Sequence, residues 1–152
     1  MDIEEKILYK RESQPAEITT PEKILWTPCV IPLPDGAWKW WKAQLLVRNG
    51  HLLTPGVESD ILLGITRSSV IEIAGNMGIR TEEREVHREE LYTADEVFFC
   101  GTAAEITPVI NVDGVPVGNG KKGTITSRLQ KTYFDAVTGR LPEYRRWLTP
   151  VS

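Results

Sequence analysis

The sequence has few of the residues that build metal sites and disulfide frameworks. Its 152 residues include two cysteines and two histidines. Cys29 and Cys100 are far apart and form no CxxC pair, and His51 and His87 each stand alone, so no set of zinc ligands is present. We expect no metal site and no disulfide framework. Both cysteines are expected to be reduced and to serve as small apolar residues.

Long apolar runs and an excess of basic charge are missing as well. Residues 1–10 begin with acidic side chains and contain no run suited to a signal peptide or a membrane span. The formal charge of −3 gives no basic face for a polyanion. We therefore expect a cytoplasmic protein that binds neither nucleic acid nor a membrane. The composition, 41% hydrophobic and 26% charged, is typical of one globular domain.

Proline sets the first 44 residues apart from the rest of the chain. The stretches ESQPAEITTPEK and TPCVIPLPDG contain too much proline for a helix or for the interior of a sheet. We therefore predict an irregular N-terminal arm over residues 1–44. Its most apolar feature is the cluster Trp38, Trp40 and Trp41. Two interpretations of this cluster remain open: a strand or loop packed on the domain, or a surface exposed because a partner is missing.

Two helices are predicted from apolar residues at helical spacing. The first runs from about Thr66 to Met77 and is followed by Gly78 as a C-terminal stop; the second begins at Thr124 and is followed by Gly139. The buried face of the first helix is predicted to contain Val70, Ala74 and Met77. The buried face of the second is predicted to contain Ile125, Leu129, Tyr133 and Val137.

Hairpins and strands are predicted around these helices. Asn49-Gly50 and Asp113-Gly114 both lie between apolar runs and suit tight hairpin turns. EVFFC at 96–100 and ITPVINV at 106–112 are each predicted as one strand, and Pro116 makes the strand after the second hairpin turn an edge strand. The order is mixed α and β. No GxGxxG motif is present, so a dinucleotide-binding βαβ series is not indicated.

The first candidate site is the turn LLGITR at 62–67, just before the first predicted helix. Backbone amides and the positive end of the helix dipole attract an anion at such a point. Gly64 would let the anion approach the backbone closely, and the hydroxyl of Thr66 would add a donor. The alternative is an ordinary helix start, with Thr66 as the cap and Gly64 as a turn residue. The residues alone leave both open.

The second candidate site is the turn GTAAE at 101–105, between two predicted strands. Its small residues leave backbone amides uncovered, and such a turn can receive a phosphate or a carboxylate. The alternative is a tight loop that neighbouring packing keeps small. Two turns of this kind in one domain indicate an anion site more strongly than either turn alone.

These turns lie within two longer stretches that carry a family resemblance. The stretches are LTPGVESDILLGITRSSVIEIAGNMGI and EELYTADEVFFCGTAAEITPVINVDGVPVGNGKKGTITSRLQKTYFDAVTG. From about Leu45 to Trp147 the chain resembles the branched-chain amino acid aminotransferases, which are class IV (fold-type IV) pyridoxal-phosphate enzymes. LYTADEVF followed by GTAAEITPV is typical of this branch rather than of D-amino acid transaminases or aminodeoxychorismate lyases.

The resemblance implies a fold class and a domain division. The fold is expected to be α/β (α+β), namely the C-terminal domain of the class IV aminotransferase fold over residues 45–152. This domain is expected to be a mainly antiparallel sheet or pseudo-barrel with two packed helices. Residues 1–44 would be an irregular arm, a degenerate remnant of the region that precedes this domain in the family.

The resemblance also assigns site residues, although Leu63 stands where the family usually has proline. The cofactor is expected to be pyridoxal 5′-phosphate. The residues implied in binding it are Leu62, Gly64, Ile65, Thr66, Gly101 and Thr102. Among these, Ile65, Thr66 and Thr102 would hold the phosphate, and Leu62 and Gly64 would lie against the pyridine ring. The residues implied in binding the substrate carboxylate are Thr102, Ala103 and Ala104, of which the two alanines would also border a small apolar side-chain pocket.

Two family motifs are not found in this sequence. One is a lysine, ahead of a tyrosine in a glycine-rich stretch, which bonds covalently to the cofactor; the other is a glutamate in an EGxGEN-like motif, which pairs with the pyridine nitrogen. ILYKRES at 7–13 and LPDGAWKWWKAQLLVRNG at 33–50 resemble segments that come after the lysine in the family. We therefore expect this chain to begin just after the lysine and assign no catalytic residue. The lysines expected to be solvated surface residues are Lys6, Lys39 and Lys42.

The function implied is that of a branched-chain-amino-acid transaminase. It would transfer an amino group between leucine, isoleucine or valine and 2-oxoglutarate. The chain is expected to be a partial one, inactive alone, that works with a complementary N-terminal half or in a homo-oligomer. The alternative, from another functional class, is a non-catalytic remnant or a phosphate-binding interaction module with the same fold.

Overall fold

A computed structural model of the protein describes residues 18–19, 30–32, 38–40, 43–59, 63–102 and 104–151. The strands are β1 (Ile18–Thr19), β2 (Val30–Pro32), β3 (Trp38–Trp40), β4 (Ala43–Arg48), β5 (His51–Thr54), β6 (Thr81–Glu83), β7 (Glu96–Gly101), β8 (Glu105–Val109), β9 (Asn111–Val112) and β10 (Val115–Pro116). The helices are α1 (Ile65–Asn76), α2 (Arg88–Thr93) and α3 (Thr124–Val137), with 3-10 turns at Val57–Ser59 and Pro142–Trp147.

The centre of the fold is a five-stranded sheet in the order β6-β5-β4-β7-β8. Its neighbouring strands are antiparallel except β5 and β6, which run parallel and are joined through α1. A parallel pair needs such a crossover because a tight turn can only reverse the chain. The expected α/β class with a mainly antiparallel sheet and two packed helices is confirmed.

The two predicted hairpin turns are confirmed by their backbone angles. Asn49 and Gly50 have φ values of 51° and 76°, and Asp113 and Gly114 have values of 54° and 82°. Two successive positive φ angles define the primed turn that matches the twist of a hairpin, which is why asparagine, aspartate and glycine are favoured there. The turns join β4 to β5 and β9 to β10.

The run ITPVINV differs from its prediction as one strand. It divides at Ile110 into β8, which pairs with β7, and β9, which belongs to a separate sheet in the order β1-β9-β10. Pro116 lies in β10 at the edge of this second sheet, as predicted. The division arises because β9 pairs with β1 and β10, contacts that an apolar pattern alone does not specify.

Helices α1 and α3 cover one face of the five-stranded sheet. Val70, Ile73 and Ala74 of α1 are fully buried against sheet residues that include Phe98 and Cys100. Leu129 of α3 joins the same core, which confirms that both helices bury an apolar face on the sheet.

The predicted face of α3 needs one correction at its C-terminal end. Val137 is 39% exposed, whereas Ala136 is fully buried in its place. Ile125 and Tyr133 are partly buried against the core. The small side chain of Ala136 lets the last turn of α3 come close to its neighbours. The helical spacing of large apolar residues does not predict that an alanine faces the core there.

The opposite face of the sheet has its own core. The buried residues there are Leu46, Leu53, Leu91, Ala94, Val97, Phe99, Val109, Val112 and Val117. Alternate residues of β4 and β7 thus serve the two cores, as the alternation of side chains along a strand requires. The sheet is buried on both sides, so its register is strongly specified.

Only parts of the predicted N-terminal arm lie within the described residues. β2 and β3 pair antiparallel, with Val30 opposite Trp40, and β1 pairs with β9. Trp41 lies outside the described residues, and the domain boundary near residue 44 stays a prediction. Across the described ranges, no helix has the length and apolar character needed to cross a membrane.

Candidate functional site

The first candidate turn lies where the chain passes from β5 into α1. Gly64 is the N-cap residue of α1, with φ −74° and ψ 146°, and Ile65 is the first helical residue. Because β5 and β6 are parallel and joined through α1, the N-terminus of α1 follows the carboxyl end of β5. In α/β proteins this is the end of the sheet where ligands bind, and anions lie at the helix N-termini there.

The N-terminus of α1 has both donors and open space. Among the described residues, a Cβ atom built on Gly64 would meet nothing within 4 Å. The first amides of a helix have no partner within the helix. Within residues 43–59, 63–102 and 104–151, no side-chain oxygen accepts a hydrogen bond from the amides of Ile65 or Thr66. Free amides at a helix N-terminus are a general feature that favours an anion.

The side chains of this turn point in different directions. Ile65 is 86% exposed, whereas Thr66 is buried. Ser68 donates from its amide to the carbonyl of Gly64 and closes the first turn of the helix. Leu62, which was assigned to the same site, lies outside the described residues.

The second candidate turn joins β7 to β8. Gly101 pairs with Glu105 across the turn, and Glu105 adopts a positive φ of 47°. The carbonyl of Ala104 accepts a hydrogen bond of 2.6 Å from the hydroxyl of Thr107, which holds the returning side of the turn. Thr102 is exposed, and a Cβ atom built on Gly101 would meet no atom of the described residues within 4 Å. Ala103 lies outside the described residues.

The strand directions place the two turns at the same end of the sheet. β5 and β7 are both antiparallel to the strand between them, so their carboxyl ends point the same way. Cys100 of β7 pairs with Ala43, the first residue of β4. The second turn follows Cys100 directly, while α1 begins beyond the carboxyl end of β5. The predicted site residues that the structure describes are Gly64, Ile65, Thr66, Gly101, Thr102 and Ala104, and all of them lie at this end.

Arg67 is the residue of this region that the sequence did not single out. Its side chain is 3% exposed. Nε donates to the hydroxyl of Thr54 at 3.2 Å, and Nη2 donates to the carbonyl of Pro55 at 2.8 Å and to a carboxylate oxygen of Glu83 at 2.7 Å. An arginine in the first turn of a helix is ordinary in a sequence. Its burial depends on the ends of β5 and β6, which lie elsewhere in the chain.

The electrostatics at the end of β7 involve Arg67 and Cys100. Burial raises the pKa of the Cys100 thiol to about 12, and the positive charge of Arg67 opposes this rise. The thiol is therefore protonated at neutral pH and acts as a small apolar residue, as expected. Cys29 lies outside the described residues.

The N-terminus of α3 is closed by the protein itself. The two carboxylate oxygens of Glu96 accept from the amides of Ile125 at 3.0 Å and Thr126 at 2.7 Å, and the Thr126 hydroxyl donates to the same carboxylate at 2.6 Å. A Cβ atom on Gly123 would overlap the side chain of Glu96. The donors that could attract an anion are already used, so this helix end is structural.

Of the three lysines expected at the surface, one lies within the described residues. Lys39 lies in β3, and Lys6 and Lys42 lie outside the described residues. In the part of the chain that the structure describes, no three histidine, cysteine, aspartate or glutamate side chains come together to hold a metal ion.

Comparison with known proteins agrees with the fold. The family described as amino-transferase class IV matches residues 42–112. A probable branched-chain-amino-acid aminotransferase of Aquifex aeolicus (strain VF5) is 50% identical over 107 residues, which cover 70% of this chain and 34% of that protein. Residues 42–112 belong to the class IV aminotransferase family. The chain spans about a third of the length of the curated relatives that it matches.

Solved structures of class IV aminotransferases share the fold at a similar level of identity. The branched-chain amino acid aminotransferase of Thermobaculum terrenum in its PLP form superposes with a TM-score of 0.74 at 43% identity, and the match covers 81% of this chain and 41% of that one. A second such enzyme, from T.th., is complexed with N-(5′-phosphopyridoxyl)-L-glutamate and gives a TM-score of 0.75 at 42% identity, with 81% and 42% covered. Both structures, like the Aquifex aeolicus relative, are branched-chain enzymes.

Proposed function

We propose that residues 43–151 are the part of a branched-chain amino acid aminotransferase that holds the phosphate of pyridoxal 5′-phosphate. The observation that carries the proposal is the uncapped N-terminus of α1 at the same end of the sheet as the turn after β7. Both turns have a glycine facing open space, and related enzymes have been crystallised with this cofactor or its glutamate adduct.

The proposed roles follow from the donors of the two turns. The amides of Ile65 and Thr66 hold the phosphate, where the helix dipole favours its negative charge. Gly64 allows the close approach because it has no side chain. Thr102 contributes from the second turn, where its exposed hydroxyl can donate a hydrogen bond.

The neighbouring residues complete the proposed site. Leu62 packs against the ring of the cofactor together with Gly64. The amides of Thr102, Ala103 and Ala104 receive the carboxylate of the substrate, and the two alanines leave room for a small branched side chain. When bound, the cofactor supplies the electron-accepting ring on which amino transfer depends. The chain itself binds and orients the two anionic groups.

The proposed reaction transfers an amino group between leucine, isoleucine or valine and 2-oxoglutarate. Its glutamate side is supported by the adduct bound to the related T.th. enzyme. The covalent lysine and the carboxylate for the pyridine nitrogen are proposed to come from a complementary segment that occupies the rest of the length of the relatives. That segment is the proposed partner of residues 43–151.

A complementation assay tests the proposal. The purified 152-residue chain is mixed with leucine, 2-oxoglutarate and cofactor, alone and together with a separately expressed N-terminal domain of a related enzyme. We expect glutamate in the mixture and none from the chain alone, because loss of a covalent catalytic group costs many powers of ten in rate. Glutamate production by the chain alone would overturn the proposed division of labour.

Two binding measurements separate this proposal from a module without a cofactor site. Calorimetry with pyridoxamine 5′-phosphate and with pyridoxamine measures what the phosphate contributes to affinity, and equal affinities would overturn the proposed phosphate site. Borohydride treatment of the chain with pyridoxal 5′-phosphate, followed by mass spectrometry, detects covalent attachment. A single modified lysine would show that this chain supplies its own covalent group.

A further inference from the structure

Arg67 is a buried cation that the proposed roles above do not use. Its guanidinium is nearly inaccessible to solvent, whereas its ion-pair partner Glu83 is 49% exposed. Burial of a charged group is costly unless hydrogen bonds and an opposite charge compensate for it. An apolar side chain would fill the same volume without that cost. A charged residue at this place therefore calls for a role beyond packing.

We propose that Arg67 is the positioning residue of the phosphate-binding turn, because its guanidinium fastens the first turn of α1 to the carboxyl ends of β5 and β6. This inference rests on the proposed function. It adds that the hydrogen bonds of Arg67 hold the amides of Ile65 and Thr66 in the orientation that binds the phosphate.

The hydrogen-bond geometry matches this role. Arg67 is the third residue of α1, so its backbone moves together with the amides of the first turn. Its side chain reaches Thr54 and Pro55 at the end of β5, and Glu83 at the end of β6. These acceptors belong to two strands that are themselves paired, with Thr54 opposite Glu83. The helix start is thus fixed to two strands at once.

A planar fork of donors is what these three acceptors require. Nε faces the Thr54 hydroxyl while Nη2 is shared by the Pro55 carbonyl and the Glu83 carboxylate. Lysine has one nitrogen on a flexible stem and cannot occupy both donor positions of the guanidinium. A lysine at position 67 would therefore distinguish a role that needs the two donor positions of the guanidinium from a role that needs only a positive charge.

Arg67 also lies within electrostatic reach of the second turn. Its charge opposes the rise of the Cys100 thiol pKa, and Cys100 directly precedes Gly101. One buried side chain thus contacts the frame of the first turn and acts on the end of the strand that carries the second. A displacement of Arg67 would change the geometry of one turn and the electrostatic potential at the other.

The test compares four variants of the full chain. Arg67→Met removes the guanidinium group and keeps an unbranched aliphatic side chain. Arg67→Lys keeps the positive charge but not the guanidinium group. Thr54→Val removes only the acceptor of Nε with little change of shape. Arg140→Met is the matched control, because Arg140 is an exposed arginine that follows α3 and pairs with Asp135 rather than with a residue of either turn.

The first measurement needs no ligand. Hydrogen exchange is followed at the amide of Ser68, which bonds to Gly64, and at the amide of Met77, which bonds to Ile73 at the other end of α1. We expect Arg67→Met and Arg67→Lys to speed exchange at Ser68 by about tenfold relative to Met77, since a tether of charge-assisted hydrogen bonds is lost. Equal changes at both amides would indicate general destabilisation and would overturn the positioning role.

The second measurement is the ratio of affinities for pyridoxamine 5′-phosphate and pyridoxamine. We expect this ratio to fall by about tenfold in both Arg67 variants, by less in Thr54→Val, and not at all in Arg140→Met. A wild-type ratio near one would overturn the proposed function, and the role of Arg67 with it. An unchanged ratio in Arg67→Met, or full recovery in Arg67→Lys, would overturn the positioning role alone. If Arg67→Met does not fold, the Lys and Val variants decide the outcome.

Discussion

Helices α1 and α3 begin in nearly the same way and then differ. Both have glycine as the N-cap residue, with φ near the same value: −74° at Gly64 and −75° at Gly123. At α3 the carboxylate of Glu96 accepts from the first amides, whereas at α1 no described side chain caps the first amides. A helix end that is closed by an internal carboxylate stabilises the fold. A helix end left open, and fixed from the side by a buried arginine, is available to a ligand.

Because of this difference, glycine occupies the two N-cap positions for different physical reasons. Gly123 is required because the Glu96 side chain occupies the place of a Cβ atom. Gly64 has no such neighbour, so no contact within the described structure requires glycine there. In the proposed function, the close approach of a phosphate to the backbone would supply the missing reason. Substitutions at the helix starts test this difference, and the expected effect on stability is largest for Glu96.

Removal of the carboxylate at α3 should have the largest effect. Glu96→Ala deletes three hydrogen bonds and the negative charge at the helix N-terminus, so we expect a loss of roughly 3 kcal/mol in the free energy of unfolding. Urea denaturation measures it. Glu143→Ala, at an exposed glutamate in the Pro142–Trp147 turn, is the control and should change stability little. A comparable loss in both variants would remove the special role of Glu96.

The same substitution at the two N-cap glycines should change stability by different amounts. Gly123→Ala forces the Glu96 side chain away and should cost about 2 kcal/mol, as overpacking does. Gly64→Ala should change stability by about 0.5 kcal/mol or less, because its φ suits alanine and space is available. It should nevertheless weaken binding of pyridoxamine 5′-phosphate. Unchanged binding in a folded Gly64→Ala chain would argue against close approach of the phosphate.

Closing the open helix end should convert α1 into a helix like α3. Gly64→Asp supplies a carboxylate cap and should stabilise the chain without ligand by roughly 0.5 kcal/mol. The same negative charge should abolish binding of pyridoxamine 5′-phosphate, because it occupies the donors and repels the phosphate. Thermal unfolding with and without ligand measures both effects. Retained binding would place the phosphate elsewhere.

Acid should weaken a closed helix end through its carboxylate. The hydrogen bond from Arg84 holds the pKa of Glu90 below its usual value, and Glu90 also accepts from the amide of His87 at the start of α2. A lowered folded-state pKa contributes stability above the pKa of the unfolded chain, and that stability is lost as the pH falls through the folded pKa. We expect Glu90→Gln to flatten the pH dependence of stability below the usual glutamate pKa. A parallel, merely shifted curve would contradict this assignment.

Local patterns predicted most of the fold but little of what fixes the site. The turn at Asn49-Gly50 and the helix that contains Val70 and Ala74 depend on residues that are close in sequence. Both predicted elements are confirmed. The cap from Glu96 to the start of α3 and the bonds from Arg67 to Glu83 join residues that are distant in sequence. Such contacts depend on how the elements pack, so no local pattern contains them. The assignment of site residues came from the family resemblance and stays a proposal.

Because Cys100 is buried, the rate at which its thiol is labelled can report on opening of the structure around it. A thiol reacts with an alkylating reagent as the thiolate, and at neutral pH a group with a pKa of about 12 is almost entirely protonated. Modification of Cys100 must therefore wait for the end of β7 to open, and its rate measures how often this happens. A ligand that binds across the two turns would hold that end closed and slow the labelling. Occupancy of the site could then be followed by mass spectrometry at Cys100 alone, without any change to the sequence.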